Sequence, residues 1–321
     1  MTAINHANGG SFTKHVVAVA IGPKALQICN LNQSGWGHQC VLDTYCFMDS
    51  TTNPSAQMKF NSLLYNMATV QKIVWAREVI KLGFSAFFVD MDVILLRNPL
   101  PWLGATFHHA DMAFSSENCA PWAGFQEDYI RWRPGQVFWQ NIGAYFVNPT
   151  LNAFSLLEVW IALARNVLIQ GLPTTGQNQL NRVLFDGRKL GVPGQARTCC
   201  PLTGQDLLSS DRLSIDADGQ VHVAKSAYVV NKTELALYRV GFKRFNTLCG
   251  GWCGCDHLTW ERRNVLSDAK TQVVRDLYMC NMTDRDMDDL FSFHMNCQSD
   301  VKVKQTGFRI WSEKRVIAAA L

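Results

Sequence analysis

One stretch constrains the chain more than any other: residues 84–101, FSAFFVDMDVILLRNPLP. Phe84, Ala86, Phe87, Phe88 and Val89 form a short apolar run behind Gly83. A run of that length, bounded by glycine and then by charge, reads as a strand buried on both faces. Asp90 and Asp92 arrive at its carboxyl end, where open α/β sheets place their ligand crevices. Burying an unpaired carboxylate costs several kcal/mol, so two of them after five apolar residues need a cation or water. The plain alternative is a strand that surfaces with two solvated aspartates. The apolar lead-in and the Arg97-Asn98-Pro99 exit favour a metal–phosphate site instead.

With 321 residues, 48% of them hydrophobic, the chain can bury the core of one large domain or two closely packed halves. The net charge is +4, 17% of residues are charged, and no Lys/Arg block is long enough to track a nucleic acid, which is therefore not an expected partner. Eleven cysteines lean toward an oxidising compartment. Sequons at Asn32, Asn231 and Asn281 are no more than chance supplies. No apolar run approaches the roughly 20 residues that span a bilayer, and residues 1–11 lack the regions of a signal peptide. The expectation is a chain with no transmembrane segment, either cytosolic or separated from its targeting segment, with the cysteines favouring the second.

Taken in order, residues 1–14 read as a loose lead-in and 15–21 (HVVAVAI) as a buried strand. Gly22-Pro23 turns that strand into a helix around 24–30, which opens an α/β unit. Residues 31–40 read as a loop and 40–48 as a second strand. Cys29, Cys40 and Cys46 could pair among themselves in ways the sequence leaves open. Residues 55–82 carry a helical apolar pattern (Leu63, Leu64, Met67, Val70, Val74, Val79, Ile80) that also bears Lys72, a residue solvated in most helices. Residues 107–114 read as a strand edge holding His108, His109 and Asp111. Residues 118–136 are Trp-, Pro- and Gly-rich loop, in which Trp122 and Trp132, with Trp139 just beyond, could stack on a glycan or simply pack. Residues 137–147 read as a strand pair broken at Asn141-Ile142-Gly143, either a bulge or a place where a ligand or backbone comes close. Amphipathic helices are expected over 150–170 and 177–185, a hairpin over 213–230 and a short helix over 284–293. Cys249, Cys253, Cys255 and His257 lack the spacing of zinc knuckles and read better as disulfides or scattered thiols.

These pieces, in this order, resemble the nucleotide-diphospho-sugar transferase domain of retaining glycosyltransferases, which includes plant and algal arabinosyl-, xylosyl- and galactosyltransferases. The likeness rests on the helix with Lys72, on LGF leading into FFVDMDVILLRNPLP, and on the NIG of residues 141–143. The helix with Trp160, the NQLN of residues 178–181 and the His-x-Asn of His294 and Asn296 complete it. It spans residues 15–311, and the D-x-D followed by RNPLP is its most specific piece.

The resemblance implies an α/β, GT-A-like Rossmann-type mixed sheet flanked by helices, as a single domain over 15–321. The donor half would cover about 15–150 and the acceptor half about 151–321. It implies a metal-dependent retaining transfer of a sugar from a UDP-sugar to a glycan or glycoprotein acceptor, in the Golgi or secretory lumen. Asp90, Asp92 and His294 would hold Mn²⁺ (or Mg²⁺). Lys72, Asp90, Asn141, Gly143 and Lys304 would contact the donor, with Gly143 leaving room for the sugar.

The family commonly has Asp-Gln where this chain has Asn178-Gln179, the candidate catalytic pair. An amide cannot act as nucleophile, so the resemblance implies front-side attack assisted by the leaving phosphate. GT-A domains also begin with a nucleotide-binding strand ahead of the one near His15, so that strand is expected to be missing. The glycine usual between the final His and Lys is not evident, and Asp300 stands near its place. Two rivals follow. One is a sugar-nucleotide or glycan binder without catalysis on the same scaffold. The other is a haloacid-dehalogenase-type phosphatase, with Asp90 as nucleophile and Asp92 as acid/base. The latter motif normally opens its domain, which 89 preceding residues argue against.

Overall fold

A computed structural model of the chain describes residues 12–43, 62–116, 129–131, 140–169, 176–185, 235–241, 244–247 and 290–294. A 3₁₀ turn, Phe12–His15, leads into β1 (Val17–Ala20), α1 (Pro23–Trp36) and β2 (Gln39–Leu42). The two strands pair in parallel, as a strand–helix–strand unit requires. The loop expected from residue 31 is instead helix as far as Trp36. Asn30 and Asn32 are weak helix formers but do not end a helix. Gly37 does, with φ 70° and its N–H bonded to Gln33 O. Of the three cysteines weighed for pairing, Cys29 and Cys40 form a disulfide, while Cys46 lies outside the described residues.

α2 (Leu63–Lys81) begins at Ser62, whose hydroxyl accepts the Tyr65 N–H at 3.2 Å. The helical pattern before it, residues 55–61, lies outside the described residues. Next come β3 (Ala86–Val89), β4 (Val93–Leu95), α3 (Leu100–Thr106), β5 (Met112–Ser116) and β6 (Tyr129–Arg131). β7 (Gln140–Val147), α4 (Leu151–Ile169), α5 (Gly176–Phe185), β8 (Leu237–Val240), β9 (Phe245–Thr247) and β10 (Ser292–His294) follow. A five-stranded mixed sheet runs β3-β7-β5-β8-β6, and a small sheet runs β4-β10-β9.

Side chains alternate across the large sheet and fill two cores. Phe88, Met112, Phe114, Tyr145, Val147 and Leu237 face α2, α4 and α5, against Val70, Ile73, Val74, Leu157 and Trp160. Phe87, Ala113, Ala144, Phe146 and Tyr238 face Leu103, Phe107, Phe245 and Phe291. The fold is therefore a mixed α/β sheet flanked by helices, as expected.

Several local expectations are corrected. Among the described residues β3 is an edge strand, half-buried throughout rather than enclosed on both faces, because only β7 pairs with it there. The strand expected at 107–114 is neither at an edge nor that early: Phe107 closes α3, and β5 sits between β7 and β8. The pair expected over 137–147 is one continuous strand within the described residues. β6 interrupts the expected loop over 118–136. Ser292 and Phe293 lie in β10 rather than ending a helix, while 284–289, the 213–230 hairpin and the Cys249–His257 cluster lie outside the described residues. β8 and β9, four and three residues long, are too short to show a period in the sequence.

Asp111 ties the sheet to its neighbours, accepting the Thr150 hydroxyl and the Ala236 N–H at 2.8 Å. Thr150 in turn accepts the Ala153 N–H at the start of α4. Truncating Asp111 leaves two half-buried donors unmatched, so Asp111→Ala is expected to cost about 1–3 kcal/mol of stability. Denaturant unfolding checks this, and Asp111→Asn should recover part of the loss.

His38 is fully buried, and burial lowers its pKa from the ordinary 6.5. Neutral imidazole is then the folded form, and the stability this contributes is complete above the unfolded pKa and drains away as pH falls below it. The Tm should drop more steeply below about pH 6.5 in the wild type than in His38→Gln.

Candidate functional site

The D-x-D occupies the turn between the two sheets. β3 ends the edge of the large sheet at Val89, and the chain reverses through Asp90-Met91-Asp92, with the Val93 N–H bonded to Asp90 O at 3.0 Å. β4 then starts the small sheet, so the carboxylates stand where the two sheets part. Met91 at the tip is 82% exposed. The Asp90 N–H donates to Gly143 O at 2.7 Å and fixes the turn to β7.

His294 reaches the same place from 202 residues away. β10 pairs antiparallel with β4 and aligns Ser292 with Leu95, Phe293 with Ile94 and His294 with Val93. That register sets the imidazole beside Asp92, with Nε2 3.2 Å from Oδ1. The ring lies across Gly143. A Cβ there would sit 2.0 Å from Cε1 and 2.7 Å from each ring nitrogen. The space that the missing side chain leaves is therefore filled by the imidazole of His294.

Lys72, on α2, forms an ion pair with Asp90 through Nζ and Oδ1. Its ammonium also lies 5.6 Å from the centre of the Phe88 ring. The Tyr145 hydroxyl donates to Lys72 O at 3.1 Å and holds that turn of the helix. Burial, and secondarily the charge of Asp90, push the Tyr145 pKa far above its usual value, so the hydroxyl keeps its proton as a donor.

The Asn141-Ile142-Gly143 segment departs from β5, where the register shifts between Phe114 and Ser115. A bulge frees backbone groups that need other partners. Asn141 Oδ1 accepts the Gly143 N–H at 2.7 Å, and Gln177 Oε1, at the start of α5, accepts the Ile142 N–H at 3.2 Å. Trp160 joins α4 to α5 by donating its indole N–H to Gly176 O at 2.7 Å.

The structure thus brings Lys72 to Asp90, Asp92 to His294, and Asn141 and Gly143 to the same turn. Asn178 and Gln179 follow Gln177 on α5, half-buried and fully buried respectively. Lys304 lies outside the described residues, and His108 bonds to Ala105 O at 3.0 Å. His109 bonds to the Tyr238 hydroxyl at 2.8 Å. Gln177 and Tyr145 escaped the sequence reading as contacts of the site. Only a known β7–α5 pairing could have marked the first, and nothing in the sequence marks the second.

One ligand atom each from Asp90, Asp92 and His294 lie within 4.8 Å of one another. The two carboxylates are about a fifth exposed and open to solvent. His294 Nδ1 is buried with no hydrogen-bond partner among the described residues. Two carboxylates and an imidazole at such separations are an oxygen-rich donor set that suits Mn²⁺ or Mg²⁺.

A family model described as nucleotide-diphospho-sugar transferase matches residues 11–187. That stretch contains Lys72, both aspartates, Asn141, Gly143 and Gln177 to Gln179, but not His294. Arabinosyltransferase XEG113 of Arabidopsis thaliana is 28% identical over 121 residues, which is 38% of this chain and 17% of that protein. The match thus spans about a sixth of the relative's length. Among the described residues no helix is long and apolar enough to cross a membrane.

Proposed function

The chain belongs to the nucleotide-diphospho-sugar transferase family, and from that premise we propose that it is a metal-dependent retaining glycosyltransferase. Its donor would be a UDP-sugar and its acceptor a glycan or a glycoprotein. The observation that carries the reading is the arrival of His294 beside the D-x-D from the far end of the chain, through the β4–β10 register. Transfer at a sugar carbon fits this family better than the phosphatase reading of the same aspartates.

Asp90, Asp92 and His294 would hold the divalent cation. When bound, it supplies Lewis-acid stabilisation of the charge that develops on the departing diphosphate. Lys72 adds a cation beside Asp90 that can meet a phosphate oxygen, and Lys304 is a second candidate for that contact. Asn141 and Gln177 hold the bulged backbone of β7 rigid, which fixes Gly143 O and through it the turn. Rigid placement of this kind lowers a barrier by removing reorganisation at the moment of reaction. Asn178 has no carboxylate to attack the sugar, which favours front-side displacement, with half-buried Asn178 as a polar wall and buried Gln179 backing it. A pentose such as arabinose is the first donor to try, given the name of the relative, and a secretory compartment is the setting proposed.

The test is UDP release from a panel of UDP-pentoses and UDP-hexoses, with Mn²⁺ and candidate glycan acceptors. Acceptor-dependent UDP release from one donor supports the reading. UDP binding with no turnover of any donor favours the non-catalytic binder.

A further inference from the structure

The β1–α1–β2 unit carries a second group of metal-binding side chains, remote in sequence from the D-x-D. Cys29 projects from α1, Cys40 from β2, and His38 from the two-residue turn between them. Their ligand atoms lie within 4.8 Å of one another. The sulfurs are joined as a disulfide, and His38 Nε2 is 3.5 Å from Cys29 Sγ. A disulfide alone needs no imidazole at its side. We propose that Cys29, His38 and Cys40 form a redox-gated zinc site, closed as the disulfide and metal-binding once the two thiols are free.

The geometry suits that ion. With Zn–S about 2.3 Å and Zn–N about 2.0–2.1 Å, two ligands of a tetrahedron stand about 3.5 Å apart, the separation found between His38 Nε2 and Cys29 Sγ. The two sulfurs must part to about 3.8 Å, a shift of roughly 0.9 Å each, within reach of rotation about the two Cα–Cβ bonds. The frame around them is fixed. Gly37 closes α1, the Gln39 N–H bonds to Val16 O at 2.9 Å, and Cys40 is paired with Ala18. His38, though buried, lies behind a surface depression that Asn30, Gln33, Gly37 and Gln39 also line. Three protein ligands leave the fourth position of the tetrahedron for a water, as in catalytic zinc sites.

The chemistry balances with a dithiol reductant. The dithiol gives two electrons and two protons to the Cys29–Cys40 bond, leaving two thiols and the oxidised, cyclic form of the reductant. Zinc then displaces both thiol protons and takes the lone pair of neutral His38.

The test uses the full chain, reduced with dithiothreitol and desalted without oxygen. Alkylation of Cys29 and Cys40 by N-ethylmaleimide is followed by peptide mass spectrometry with and without Zn²⁺, so other cysteines do not confuse the readout. Zinc should slow both alkylations at least tenfold, and EDTA should restore them. His38→Gln should lose the protection at both cysteines, and Cys40→Ser should lose it at Cys29. Unchanged rates in the wild type overturn the proposal, as does protection that survives both variants.

Discussion

Gly143→Ala is expected to lower Mn²⁺ affinity by at least tenfold and transferase activity by about 100-fold, the range seen when groups that orient a metal ligand are disturbed. The added Cβ would stand 2.0 Å from Cε1 of His294, far inside van der Waals contact. The ring has little room to yield, because β10 is held between β4 and β9 and interiors are close-packed. Relief by tilting the ring breaks the 3.2 Å approach to Asp92. A second substitution separates clash from ligand loss. Gly143→Ala combined with His294→Ala should regain the Tm lost by the single change and still fail to bind metal. Calorimetry of Mn²⁺ binding beside thermal melts checks both halves.

Asp92→Asn is expected to reduce activity by about 10³-fold, on the order of 4 kcal/mol of transition-state stabilisation. It removes the carboxylate proposed as a metal ligand and leaves His294 facing a neutral amide. Stability should change by less than about 1 kcal/mol, since the amide keeps an oxygen where Asp92 Oδ1 faces the His294 ring and no buried group loses its partner. A large fall in activity with an unchanged Tm separates a ligand from a scaffold residue.

Much of this was legible along the chain, and what was not has physical causes. The helices α4 and α5 were readable to within a residue or so, because long amphipathic periods and a glycine stop carry their own evidence. The D-x-D stood out because two charges after an apolar strand demand an explanation. Whether β3 was enclosed or at an edge could not be read, since that depends on which strands pair with it. β5 looked like an edge for the same reason, and its partner β8 lies more than a hundred residues on. β10 is three residues long, too short for any period, so His294 came only from a family likeness. Its placement needed the β4–β10 register. The role of Gly143 was half-legible: its sequence setting announced a close approach, and only packing named the His294 ring as the neighbour.

If Asp90, Asp92 and His294 hold a cation, a nucleotide diphosphate should require that cation for binding. Isothermal titration of UDP into the full chain, once with Mn²⁺ and once with excess EDTA, tests this most directly. One UDP should bind per chain with Mn²⁺, and EDTA should weaken binding at least tenfold. Equal affinity in the two titrations, or no binding in either, would contradict this.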